Sequence, residues 1–164
     1  MRLDIGAGDR PYQDGSGEWT HNDARPLPDI EIVCDIRDLP KHVEAGSCEA
    51  ILARHVLEHF PHHQSVEVLK EWRSLMKPGA RILIEVPNLE WQCQAILAAS
   101  ERDFPGEWTQ DKVVVLMYGD QDYPGNAHLT GFTSWTLMAA MEAAGFNSIK
   151  VMDVGMVLVC NAVA

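Results

Sequence analysis

The sequence predicts one α/β domain on a doubly wound, mostly parallel sheet, with an antiparallel strand at its C-terminal end. Three observations lead there. Short apolar runs of strand character alternate with stretches of helical periodicity. The first run, Arg2–Ile5, leads straight into a glycine turn, Gly6-Ala7-Gly8. The last two runs, Ser148–Val151 and Met156–Val163, are joined only by a tight connection around Asp153–Gly155. A parallel return needs a longer crossover, so that pair must be antiparallel. The 164 residues suffice for one core and not comfortably for two, so the domain is expected to cover residues 1–164.

Each element has a local reason. Arg2–Ile5 reads as a buried strand, and Asp9–Glu18, rich in Gly, Asp, Ser and Pro, as a loop with at most one helical turn after Pro11. Ten residues cannot hold a full crossover helix, so the first crossover is shortened. Trp19–Asn22 is a weak second strand and Ile30–Cys34 a third, followed by Asp35. Asp38–Ser47 is loop, and Glu49–Ala53 is the fourth strand. Between Gln64 and Met76, Val66, Val68, Leu69, Trp72, Leu75 and Met76 form an apolar helical stripe with charges interleaved. Lys77-Pro78-Gly79 stops it, and Arg81–Val86 is the fifth strand, closed by Pro87. Leu89–Ala99 reads as helix, and Gln110–Tyr118 is ambiguous between helix and strand. Ser134–Ala144 is a clear helix with Thr133 or Ser134 as N-cap and Gly145 as its stop.

The bulk numbers exclude several classes. No apolar run approaches the roughly 20 residues of a membrane helix, and Met1–Gly6 lacks the shape of a signal peptide. A cytosolic location is the expectation. The four cysteines, Cys34, Cys48, Cys93 and Cys160, show no C-x-x-C spacing, which argues against a zinc module or a disulfide framework. A formal net charge of −11 repels polyanions, so nucleic-acid binding is not expected. Oligomeric state is not encoded legibly.

The chemistry begins at Asp4-Ile5-Gly6-Ala7-Gly8. Glycines after a strand let a ligand approach the backbone without a Cβ in the way. In an open α/β sheet, ligands sit beyond the carboxyl ends of the strands. A dinucleotide fingerprint would need a third glycine where Pro11 stands, so an NAD-dependent enzyme is disfavoured. Asp4, Asp23 and Asp35 sit at or near the first three strand ends. A carboxylate there can accept ribose hydroxyl protons, or serve as a turn former. His55 and His59 are four apart, with His62 and His63 just beyond. That spacing suits a metal pair, but Pro61 breaks the helix and no convergent Cys or carboxylate triad is visible, so no metal site is expected. Trp72 and Trp135, at helical spacing, are expected in the core; Trp91 and Trp108 stay open.

The ordered set of motifs resembles the class I S-adenosylmethionine-dependent methyltransferases, in particular a short predicted bacterial and phage type. Asp4-Ile5-Gly6-Ala7-Gly8 resembles their motif I, and Cys34-Asp35-Ile36-Arg37-Asp38-Leu39-Pro40 their third-strand motif. Ile51–His59 is similar to the segment after strand four, and Glu71–Ile84 to the helix, K-P-G turn and fifth strand. Phe132-Thr133, Leu137 and Ala144-Gly145-Phe146 look like the last helix before strand six. The resemblance implies a Rossmann-like fold and S-adenosylmethionine as cofactor. Gly6, Ala7 and Gly8 would pass beneath its methionine part, and Asp4 sits within the same motif. Asp23 would hold the ribose; Asp35, Ile36 and Arg37 would flank the adenine; Arg54 and His55 would lie beside the methionine moiety. His128, in the polar loop between strand five and the last helix, would either orient or deprotonate the acceptor or stand as a solvated loop histidine, with His55 the second catalytic candidate. The implied reaction is methyl transfer to a small-molecule or glycan-type acceptor. The alternative is a non-catalytic binding or regulatory module on the same fold.

Overall fold

The computed structural model describes residues 1–16, 18–99 and 110–164; Trp108 lies outside them. Seven strands form one sheet: β1 (Arg2–Ile5), β2 (Trp19–Asp23), β3 (Ile32–Val33), β4 (Cys48–Arg54), β5 (Met76–Pro87), β6 (Asn147–Asp153) and β7 (Val157–Val163). Their order is β3-β2-β1-β4-β5-β7-β6. Strand β7 runs antiparallel to both β5 and β6, and the remaining pairs are parallel. The C-terminal hairpin therefore inserts its second strand between β5 and its first. Among the described residues four α-helices accompany the sheet: α1 (Ser65–Leu75), α2 (Leu89–Ala99), α3 (Gln110–Tyr118) and α4 (Ser134–Ala143). The ambiguous stretch from residue 110 is thus helical.

The core lies on one face. Leu3, Ile5, Ile51, Ala53, Ile82 and Ile84 alternate along the central strands and are fully buried with Leu69, Trp72 and Leu75 of α1 and Leu137 and Met141 of α4. Burying such side chains contributes roughly 1.5–3 kcal/mol each. Trp135 departs from expectation: it is 79% exposed. Helix α4 turns Leu137, Ala140 and Met141 inward, and Trp135 falls on its other face.

Two strands differ most from the sequence reading. Strand β3 is only two residues long, and the Asn22 side-chain amide adds bonds to the Ile32 and Cys34 carbonyls, at 2.9 and 3.1 Å. Strand β5 begins at Met76, not Arg81. Met76 pairs with Cys48, and Arg81 with Ala50, so Lys77–Ala80 bulges out between them. That bulge is held by bonds from Gly79 N to Ala164 O and from Ala164 N to Ala80 O.

The shortened first crossover has no helix among its described residues, including after Pro11. Asp14 organises it, accepting from the Ser16 backbone, the Ser16 hydroxyl and, at 3.0 Å, the Trp19 indole. These bonds hold its carboxyl down at about 2. Tyr12 packs edge-on against Trp19 with ring centroids 5.0 Å apart. No helix among the described residues is long and apolar enough to cross a membrane.

Candidate functional site

Connections from β1 lead outward to β2 and β3, whereas those from β4 lead the other way to β5, so the winding reverses between β1 and β4. A cleft of about 790 Å³ opens at their carboxyl ends. Its walls include Gly6, Ala7, Gly8, Asp23, Asp35, Ile36, Arg37, Arg54 and His55, closed on the far side by α3 and the loop that carries His128. Ten of the eleven residues singled out from sequence therefore share one cavity.

Asp4 is the exception. It lies beneath the turn, 1% exposed, and does not line the cleft. Its Oδ2 accepts from Tyr12 N at 2.8 Å, lies 3.1 Å from His21 Nδ1 and is 3.8 Å from Arg54 Nη2. With no crossover helix above it, Asp4 fastens the short loop to the sheet.

The glycine turn has two different glycines. Both adopt left-handed backbone, with φ of +62° at Gly6 and +65° at Gly8. A Cβ on Gly6 would sit 2.5 Å from Val56 Cγ2, inside the protein. A Cβ on Gly8 would meet only Arg25 Nη2, at 3.8 Å, and would project into the cleft. Gly8 N donates to Asp23 Oδ2 at 3.0 Å, and Ala7 N to Asn22 O at 2.8 Å, so β2 fixes the turn.

Arg25 was not legible in the sequence. Its Nε donates to Asp23 Oδ1 at 3.0 Å, and its guanidinium lies 4.3 Å from the Tyr123 ring centroid, a cation–π contact. It thus bridges the end of β2 to the loop after α3. Burial pushes the Asp23 carboxyl up, but bonds from Arg25 and Gly8 outweigh it and leave it below the ordinary carboxylate range. Asp35 caps the short 3₁₀ segment Ile36–Lys41 and takes the Arg37 guanidinium at 2.9 and 2.6 Å; those bonds hold its carboxyl low.

Arg54 donates to Arg10 O at 3.2 Å, while its buried Nε has no hydrogen-bond partner among the described residues. His55 takes left-handed backbone at φ +54°, a strained state for a non-glycine residue. Its Nδ1 is 3.2 Å from Glu58 Oε1, and that bond raises its pKa. His128 is held by Nδ1 on Leu116 O at 3.0 Å, and burial lowers its pKa. Its Nε2 lies 4.0 Å from Glu58 Oε1.

The sequence reading missed the convergence of Glu58, His59 and His128. Leu129 N and Thr130 N both donate to Glu58 O and draw the distal loop onto the turn after β4. His59 and His128 then meet edge-on with centroids 4.9 Å apart. The only sequence signal was the adjacency of Glu58 and His59 in the motif after β4. His62 and His63 stay exposed at the rim; His62 Nδ1 lies 3.3 Å from Thr130 Oγ1.

Residues 3–151 match a family model described as a methyltransferase domain. No curated protein matches the chain in sequence. Solved structures match in fold. A SAM-dependent methyltransferase from Archaeoglobus fulgidus superposes with a TM-score of 0.66 at 16% identity, over 99% of this chain and 85% of that one. The CurJ carbon methyltransferase gives 0.66 at 14% identity, over 99% of this chain and 48% of its own. A Burkholderia thailandensis 1,6-didemethyltoxoflavin-N1-methyltransferase, with 1,6-didemethyltoxoflavin and S-adenosylhomocysteine bound, gives 0.62 at 18% identity, over 99% and 69%.

Proposed function

The chain belongs to the methyltransferase-domain family, a family of S-adenosylmethionine-dependent enzymes, and we propose that its cleft moves the methyl group onto a small-molecule or glycan-type acceptor. One observation carries this reading. The Gly6-Ala7-Gly8 turn is fastened through Asp23 at the reversal of the sheet, and the Gly8 side is open to the cleft. The cleft's size lies within the roughly 300–1,000 Å³ of small-ligand sites. The unpartnered Arg54 Nε is a donor awaiting an acceptor. The residues fit the cofactor.

When bound, S-adenosylmethionine supplies a sulfonium-linked methyl: its C–S bond breaks as the acceptor–carbon bond forms, sulfur keeps the electron pair, and the acceptor gives up a proton. The chain's own contribution is alignment and dryness. In this reading the Gly6-Ala7-Gly8 turn passes beneath the methionine part, with Gly8 leaving room for it and Arg54 and His55 flanking it. Asp23 receives the ribose hydroxyls, with Asp35, Ile36 and Arg37 beside the adenine. His128, anchored through Nδ1, keeps Nε2 free to orient the acceptor and take its proton. A net charge of −11 favours neutral or cationic acceptors over polyanions.

Calorimetry with S-adenosylhomocysteine tests the cofactor half: absence of heat and of thermal shift at millimolar concentration would end the reading. An acceptor panel tests the other half. His128→Ala should leave S-adenosylhomocysteine affinity intact and lower turnover about 10²–10⁴-fold, the span for a positioned acid or base.

A further inference from the structure

We propose that Glu58, His59 and His128 bind a divalent transition-metal ion of the zinc, cobalt or ferrous kind on the acceptor side of the cleft. Each side chain offers one ligand atom, and these atoms lie within 4.8 Å of one another. Zinc bonds to nitrogen and oxygen are about 2.0–2.2 Å, so the donors need only a modest contraction around an ion. Two imidazoles and a carboxylate suit zinc and ferrous iron better than the all-oxygen preference of magnesium or calcium.

The surroundings of the cluster point to the same ligand independently. A metal-bound histidine usually gives its other ring N–H to a backbone carbonyl or carboxylate, which fixes the tautomer. His128 Nδ1 sits 3.0 Å from Leu116 O, and His59 Nδ1 sits 3.1 Å from Ala127 O. Each arrangement leaves Nε2 as the lone-pair nitrogen. His55 Nδ1 in turn holds Glu58 Oε1 at 3.2 Å, orienting the carboxylate. Glu58 is 1% exposed, and its buried Oε2 has no hydrogen-bond partner among the described residues. A carboxylate in that state is costly unless a cation meets it. Its ion-pair partners among the described residues are histidines, His55 and His128.

His59 and His128 both line the cleft, so the ion's remaining positions face the acceptor. On the methyl-transfer reading, the ion replaces His128 as the group that readies the acceptor: it holds an acceptor oxygen or nitrogen there and favours its deprotonated form, and the proton passes to solvent, because His128 Nε2 is then a ligand and no longer free to take it. Metal binding itself does not depend on that reading.

The test uses chelator-stripped protein titrated with Co²⁺, followed by visible d–d absorption, with Zn²⁺ competition read by calorimetry. One saturable equivalent is expected, displaced by Zn²⁺. His59→Ala and His128→Ala should each weaken it by about 100-fold or more, beyond the 10–100-fold typical of outer partners. His62→Ala and His63→Ala should bind as the parent does. Because Glu58→Gln risks the fold, the two partly exposed histidines carry the test, with circular dichroism confirming that each variant is folded. Absence of a Co²⁺ spectrum, or a spectrum lost with His62 or His63 instead, overturns the proposal. S-adenosylhomocysteine calorimetry on the same samples keeps the two readings apart: its failure removes methyl transfer and leaves the metal result standing.

Discussion

Alanine at Gly8 and alanine at Gly6 should have opposite profiles, although both residues share one turn and nearly the same backbone angles. Left-handed backbone costs an alanine about 1–2 kcal/mol relative to glycine at either position. At Gly8 that is the whole folding cost, since a Cβ there meets nothing closer than Arg25 Nη2 at 3.8 Å. At Gly6 the Cβ would lie 2.5 Å from Val56 Cγ2. Val56 is 3% exposed and packed in the core, so overpacking of about 1–3 kcal/mol is added there. Gly6→Ala should therefore lose about 2–5 kcal/mol and Gly8→Ala about 1–2 kcal/mol. For a chain of this length, each kcal/mol lowers Tm by about 2–4 °C. Ligand affinity should order the other way: the Gly8 methyl enters cleft space, and a loss of about 1.4 kcal/mol is already tenfold in Kd. Urea unfolding followed by tryptophan fluorescence, with S-adenosylhomocysteine calorimetry on the same proteins, measures both. Equal destabilisation by the two variants would refute the packing argument. Undiminished affinity in Gly8→Ala would refute the claim that this glycine makes room for the cofactor.

Three further outcomes follow from the carboxylates and their partners. Asp23→Ala should weaken S-adenosylhomocysteine by about 1–3 kcal/mol, the scale for a hydrogen bond to a charged group. Arg25→Ala removes the guanidinium from Asp23 and leaves only the bond from the residue-25 backbone N–H on Oδ1, so binding should tighten; weakening equal to that of Asp23→Ala would mean the guanidinium itself holds the ligand. Asp14, whose carboxyl is held at about 2, adds stability that is present above the unfolded value of about 3.9 and is lost as pH falls toward 2. Carbon NMR titration of Asp14 checks this, and a midpoint near 4 would overturn it; Asp14→Asn should flatten stability over that window.

The sequence by itself determined what nearest neighbours decide. The glycine turn, the apolar stripe of α1, the Thr133 cap, which here closes a capping box with Thr136, and the tight β6–β7 connection each follow from local rules of period, φ and reach. From these came the doubly wound sheet, its one reversed strand and the shortened crossover; most of the cleft wall came from the resemblance of the ordered motifs to a known family. Only the tertiary structure decided what depends on a partner far along the chain. Trp135 has helical spacing but faces outward, because helix rotation is set by which stripe meets the sheet. Asp4 shares a motif with Gly8 yet points to the opposite side of the strand, where Tyr12 and His21 claim it. Arg25 reaches Asp23 locally, but the Tyr123 ring that covers its guanidinium comes from far along the chain. Glu58 and His128 meet because two backbone amides of the distal loop bond the Glu58 carbonyl. Such pairings depend on loop closure over long sequence separations, and no local pattern records which carbonyl a distant amide will find.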